Sequence, residues 1–324
     1  MTKTDFNPFL FYSTRLQTLL AKASKQKNPA LWLYKNDART ILFMLEALTR
    51  IHDKAFDEKL FGKWNKRFKK LEDVLGQIDD YSILESEFKN TKKVSKEIIK
   101  YFTVNTNNYI EKLNQRLLAK DWFKNKMQSF DAKLGEFEVK YNKEYSDELK
   151  FAIIGEIDAI IYFSLKADYT FTKVEDEVHE IRRKLRWLSM YAQAFQGLIQ
   201  LKKSGNRKKY ALHYFTKEVL NSRFNKVEAK PKNAVVIEFD KDSFFALGFV
   251  INELGKLKDS VLKMKQLSDA VFVTENVTRL KAEEKAIAIM GLKNTVEQDV
   301  LKEASEMMRT FIVKDKMLDH LILK

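Results

Sequence analysis

The chain has 324 residues, with 59 Lys plus Arg against 45 Asp plus Glu and a formal charge of +14. Nine glycines, three prolines and no cysteine leave few helix breaks and exclude disulfides, thiol nucleophiles and thiolate metal sites. The length suits one large helical domain or two smaller bundles, and the charge speaks to an anionic partner rather than to a fold.

An amphipathic helix is expected from about Pro8 to Lys25, with Leu16, Leu19, Leu20 and Ala23 on one face and Asn28-Pro29 as its break. A second helix is expected to begin near Asn36-Asp37, whose short polar side chains suit an N-cap, and to carry Ala38, Ile41, Leu42, Leu45 and Leu48 toward a core. Helical spacing continues through Lys59 to Phe88, Lys92 to Leu118 and Trp122 to Tyr141. The apolar run Phe151 to Leu165 contains Glu156 and Asp158 and is too short and too charged for a bilayer span, so it reads as a core helix. No secretory signal is expected, because Asn7, Pro8, Arg15 and Gln17 interrupt the apolar residues near the N-terminus.

Past an extended Tyr169 to Thr172, Thr172 and Glu175 have the spacing of a capping box that opens a long helix to about Leu201. A basic loop, Lys202 to Lys209, precedes a helix from about Tyr210 to Arg223. Val235 to Phe239 is the one run with strand character, read as part of an insertion between 225 and 242. Helices resume at Phe244 to Lys265 and again from Val277 to Leu323. The fold expected is all-α, as two pseudo-twofold-related helical bundles (1–165 and 166–324) packed together, with a short strand-like insertion near 234–239.

Two features carry the functional reading. The sequence Leu-Gly-x-x-x-Asp occurs at Leu75 to Asp80 and again at Leu254 to Asp259, each downstream of a helix carrying an arginine, Arg39 and Arg182. A glycine inside a helical pattern costs about 1 kcal/mol against alanine and marks a bend or a close approach. The repeat suggests duplication. The second feature is the helix from Thr172. Val174, Val178, Ile181, Leu185 and Leu188 form its apolar seam, and His179, Arg182, Arg183 and Arg186 share a neighbouring stripe. Arginine forks suit phosphate oxygens, and histidine adds a donor or a pH-sensitive cation. The plain alternative is a solvated helix on which Glu175, Asp176, Glu177 and Glu180 pair with the arginines. Asp176-x-x-His179 also has a di-iron ligand spacing, but no second such motif completes a site.

These residues resemble the CHAD family, the conserved histidine α-helical domains. In that pattern a histidine is followed at plus three, plus seven and plus ten by basic residues, and later by Leu-Gly-x-x-x-Asp, once in each half. His179, Arg182 and Arg186 match in the second half, with Ser189 in the last place. In the first half Arg39 matches, while Asn36, Phe43 and Glu46 stand at the other three places. The resemblance covers about Ala30 to Val271. It implies one compact unit of two related bundles with a basic groove that binds inorganic polyphosphate. An enzyme is not expected, because the sequence has no glycine-rich phosphate loop and no His-Glu-x-x-His, and its four histidines, His52, His179, His213 and His320, are spread across the chain.

The anion-binding residues expected are His179, Arg182, Arg183, Arg186, Arg39, Lys35, Lys202, Lys203 and Arg207, with no catalytic residue, metal or cofactor. Basic residues such as Arg50, Lys66, Arg67, Lys69 and Lys70 add to the field. The partner expected is inorganic polyphosphate or another phosphate-rich polyanion, in the cytoplasm or at polyphosphate granules, with nucleic acid ranked behind it. The competing expectation is a helical scaffold whose anion groove has decayed and which binds an acidic protein.

Overall fold

A computed structural model describes residues 7–56, 59–136, 142–204, 209–232 and 234–323. Among them the regular structure is twelve α-helices and one two-stranded sheet. In chain order these are α1 Pro8–Ala23, α2 Pro29–Lys35, α3 Ala38–Phe56, α4 Lys59–Phe88, α5 Lys96–Ala119, α6 Lys126–Glu136, α7 Lys143–Lys166, α8 His179–Ala194, β1 Ile199–Lys202, α9 Lys217–Asn221, β2 Ile237–Asp240, α10 Lys241–Glu275, α11 Arg279–Met290 and α12 Val296–Arg309. The all-α reading holds. The chain forms two compact units, Met1–Val139 with Met264–Leu292, and Lys140–Lys263 with Lys293–Lys324.

In the first unit, α3 packs on α1 and α4, and α4 packs on α5. Asn7 caps α1 by accepting from the Phe9 and Leu10 amides, and Pro8 takes the first helical position, where a missing N–H costs nothing. Asn28-Pro29 repeats the device and opens α2 rather than a loop. Asn36 ends α2, and Asp37 takes a left-handed φ of 59° before α3 begins. Its carboxylate accepts from the Thr40 hydroxyl. The core is aromatic: Phe9, Phe61, Trp64, Phe68 and Phe130 are buried, with Phe9 stacked on Phe61 at 5.6 Å between centroids. His52 is fully buried against Phe9, Phe56 and Phe61.

In the second unit, α7 packs on α8. The α7 run expected as a core helix buries one face only, through Leu149, Ile153, Ile157 and Ile160, and leaves Phe151, Ile154, Tyr162 and Leu165 exposed. Hydrophobic content reports how apolar a helix is, not whether both its faces have partners. The expected helix from Thr172 to Leu201 is also corrected. It opens as a π turn, Val174–Val178, continues as α8, and stops at Ala194, where Gln196 at φ 48° and Gly197 at φ 92° break the helical backbone. Ile199–Lys202 then forms β1, parallel to β2, with Ile199 opposite Ile237 and Lys202 opposite Asp240. The strand expected near 234–239 is therefore real, and its partner lies in what read as helix.

The C-terminal segment adds to β2, with Asp240 N donating to Leu321 O at 2.8 Å and Leu323 N to Glu238 O at 2.9 Å. Buried Asp240 starts α10 by accepting from the Ser243 amide and hydroxyl, each at 2.8 Å. The expected helix from Tyr210 to Arg223 is a 3-10 turn, Lys209–Tyr214, followed by the short α9.

Candidate anion-binding site

The expected capping pair is not the one formed. Glu177, not Glu175, reaches back to the start of the helix and accepts from Thr172 N at 2.5 Å, Lys173 N at 3.0 Å and Thr172 Oγ1 at 3.2 Å. The opening π turn carries more residues per turn, which moves the acid that meets the free amides further along the chain. Behind this cap the seam is buried as expected, with Val174, Val178, Ile181, Leu185 and Leu188 all at 1% exposure or less. The seam sets the rotation of α8, so His179, Arg182, Arg183 and Arg186 lie half-buried along one side of it.

Arg182 lies on helix backbone. Its Nε donates to Ile251 O in α10 at 3.0 Å. A Cβ at Gly255 would stand 2.9 Å from that Nε and 3.0 Å from Nη2. The glycine therefore leaves room for a guanidinium to reach a carbonyl one helical turn back. Burial lowers the Arg182 pKa, and the Asp259 carboxylate opposes that shift.

The first unit contains the same contact. Arg39 of α3 lies over Gly76 of α4, where a Cβ would be 2.8 Å from Nη2. Here the partners are acids: Arg39 Nε donates to Glu72 at 2.9 Å and Nη1 to Asp79 at 2.8 Å. Tyr34 donates to the other Asp79 oxygen at 3.1 Å. The two Leu-Gly-x-x-x-Asp segments thus share a physical cause, an arginine from an earlier helix seated on a bare turn.

The two arginines differ in the groups that accept from them. Four residues before the glycine the first unit has Glu72 and the second has Ile251; three residues after it the first has Asp79 and the second has Lys258. Arg39 is neutralised by its neighbours. In the second unit Lys258 is buried at 8% exposure, forms an ion pair with Asp259 at 2.5 Å, and its charge reaches His179.

His179 senses that field. Burial lowers its pKa to about 4, reinforced by the charges of Lys258, Arg182, Arg186 and Arg183. The imidazole is neutral at pH 7, and its buried Nδ1 has no hydrogen-bond partner among the described residues. An anion reaching this stripe would meet a neutral ring and cations already in one place.

The other expected residues are less available. Arg183 is held by Glu180 through two bonds, at 2.8 and 3.0 Å, and Lys184 approaches the same carboxylate at 3.5 Å. Lys202 pairs with Glu238 at 2.9 Å across the two strands. Lys203 and Lys35 are exposed, and Arg207 lies outside the described residues. Lys35 and Arg39 belong to the first unit, and the α8 residues with Lys202 and Lys203 to the second. Lys258, whose charge acts on His179, is not among the expected residues, although its place opposite Asp79 within the repeat is visible in the sequence.

Asp176, the other half of the iron-like spacing, is exposed and pairs with Lys173 at 3.4 Å. Among the described residues no group of three or more His, Cys, Asp or Glu could hold a metal, and no helix is long and apolar enough to cross a membrane.

The decisive local feature is this charge difference between two copies of one contact. No family model, curated protein or solved structure matches the chain.

Proposed function

We propose that this chain binds a phosphate-rich polyanion, inorganic polyphosphate first, without catalysing a reaction, and that the binding stripe is built from His179, Arg186 and Lys258. The affiliation with the CHAD family, a cytoplasmic setting and association with polyphosphate granules belong to the same proposal. The observation that carries it is the charge difference at the repeated arginine–glycine contact. The first unit surrounds Arg39 with Glu72 and Asp79, whereas the second has Lys258 at the place of Asp79, its charge acting with that of Arg182 on His179, and uses a backbone carbonyl as acceptor for Arg182. Arg39 and Arg182 act in this reading as positioning residues, and the anion is met by the cations beside His179. Polyphosphate suits such a stripe because its charges repeat along the chain and each engaged cation releases condensed counterions.

The test is a filter-binding titration with a polyphosphate length ladder at low salt. The parent chain is expected to bind longer polymers more tightly, and Arg186→Glu/Lys258→Glu to lose binding by at least tenfold. Absence of binding, or an unchanged double variant, overturns the proposal.

A second reading has its own observation. The neutralised Arg39 favours a helical scaffold whose anion groove has decayed in one half and which binds an acidic protein. Polyphosphatase treatment separates the two: a protein complex that survives it supports the scaffold reading, and one that dissolves supports polyphosphate. Competition between polyphosphate and RNA separates polyphosphate from nucleic acid.

A further inference from the structure

Among the described residues of the second unit, helix α7 carries the most exposed aromatic side chains. Phe151 is 75% exposed, Tyr162 67%, Leu165 57% and Ile154 38%. At 100° per residue these four fall within about 80° of arc, on the face opposite buried Ile153, Ile157 and Ile160. Two large rings and two aliphatic side chains at these exposures present on the order of 400 Å² of apolar surface. That is the size at which a patch marks an interaction site, and about half of what each partner buries in a standard interface.

The rest of the face indicates what covers it. Gly155 and Ala159 lie beside the stripe, and nothing stands within 4 Å of a Cβ built on Gly155, so a second helix can approach closely there. Exposed Glu148 lies nine residues before position 157, midway between these two small residues, and exposed Lys166 lies nine residues after it. Both project on the same side of the stripe. A twofold axis at that midpoint sets Glu148 of each copy against Lys166 of the other, Gly155 against Ala159, and Phe151 close to Tyr162.

We propose that the chain forms a twofold homodimer through antiparallel pairing of its α7 helices. An isologous contact of this kind needs a self-complementary surface, and the order acid, small pair, base along one helix supplies it. The same geometry brings the two Asp158 carboxylates near the axis, where they repel. Association is therefore weak, with a dissociation constant on the order of micromolar.

The test is sedimentation equilibrium of the full chain over a concentration series in about 0.15 M salt, where the Debye length of about 8 Å screens the overall positive charge. The parent chain is expected to shift from monomer to dimer. Phe151→Glu should weaken the dimer at least tenfold, and Asp158→Asn should tighten it several-fold. Glu148→Lys alone should weaken it, and Glu148→Lys/Lys166→Glu should restore it. All these positions are exposed, and circular dichroism of each variant confirms that the helices remain. A chain that stays monomeric throughout, a dimer indifferent to Phe151→Glu, or a charge exchange that fails to restore pairing overturns the proposal.

Discussion

The guanidinium of Arg182 lies so close to Gly255 that a Cβ there would stand 2.9 Å from its Nε, and Arg39 holds the same relation to Gly76 at 2.8 Å from Nη2. An arginine on a bare helical turn is the shared structural unit of the two halves.

Alanine at either glycine is expected to destabilise the chain, against the usual gain of about 1 kcal/mol for Gly→Ala in a helix. The added carbon displaces a guanidinium that charge-assisted bonds hold in place, and losing one of these costs about 1.5–3 kcal/mol. Gly135→Ala is the control, since nothing lies within 4 Å of a Cβ built there. Urea unfolding should show a gain at Gly135 and a net loss of roughly 1 kcal/mol at Gly76 and Gly255. A gain at all three positions contradicts the assignment.

Arg39→Met removes the partner of Glu72, which is only 6% exposed. Breaking a buried pair from one side leaves an uncompensated carboxylate, and a loss of about 2–4 kcal/mol is expected. Arg39→Met/Glu72→Met should recover most of it. A double variant no better than the single one means that the charge of Glu72 was not the cause.

Stability should fall as the solution is acidified. Burial lowers the His52 pKa to about 3, opposed by its contact with Leu48 O, and burial with the nearby cations lowers that of His179 to about 4. Both lie below the unfolded value of 6.5, so below that pH the unfolded chain binds more protons than the folded one. The contribution of neutral histidine is complete above about pH 6.5 and is lost as the pH falls toward the folded values. Urea midpoints between pH 7.5 and pH 4.5 should decline for the parent and decline less for His52→Phe/His179→Gln. Equal slopes contradict the prediction.

Much of this fold is legible in local pattern. Helix α4 has the bounds Lys59–Phe88 that its spacing predicts, and the α8 seam is buried residue for residue. Strand β1 is hidden because Leu198, Ile199 and Leu201 prolong the apolar content of α8, and its parallel partner lies 38 residues away at Ile237. Only the positive φ at Gln196 and Gly197 separates helix from strand. The repeated glycines were visible, but which side chain covers them depends on the packing of distant helices. Lys258 escaped for the same reason: its meaning comes from Asp79, its counterpart across the repeat. The apolar content of α7 was likewise plain, and its exposed face was not, because composition does not say which stripe has a partner.

The most direct measurement is the salt dependence of polyphosphate binding by the parent chain and by Lys258→Asp, which copies the acid of the first half into the second. For a counterion-releasing contact, log affinity falls linearly with log salt, and the slope drops by about 1 for each phosphate contact removed. The account predicts steep salt dependence for the parent, with affinity at least tenfold lower and a shallower slope for Lys258→Asp. Lys203→Asp, a change at an exposed residue outside the stripe, should have the smaller effect. Equal losses for the two variants, or a parent whose binding ignores salt, would contradict a polyanion stripe centred on His179 and Lys258.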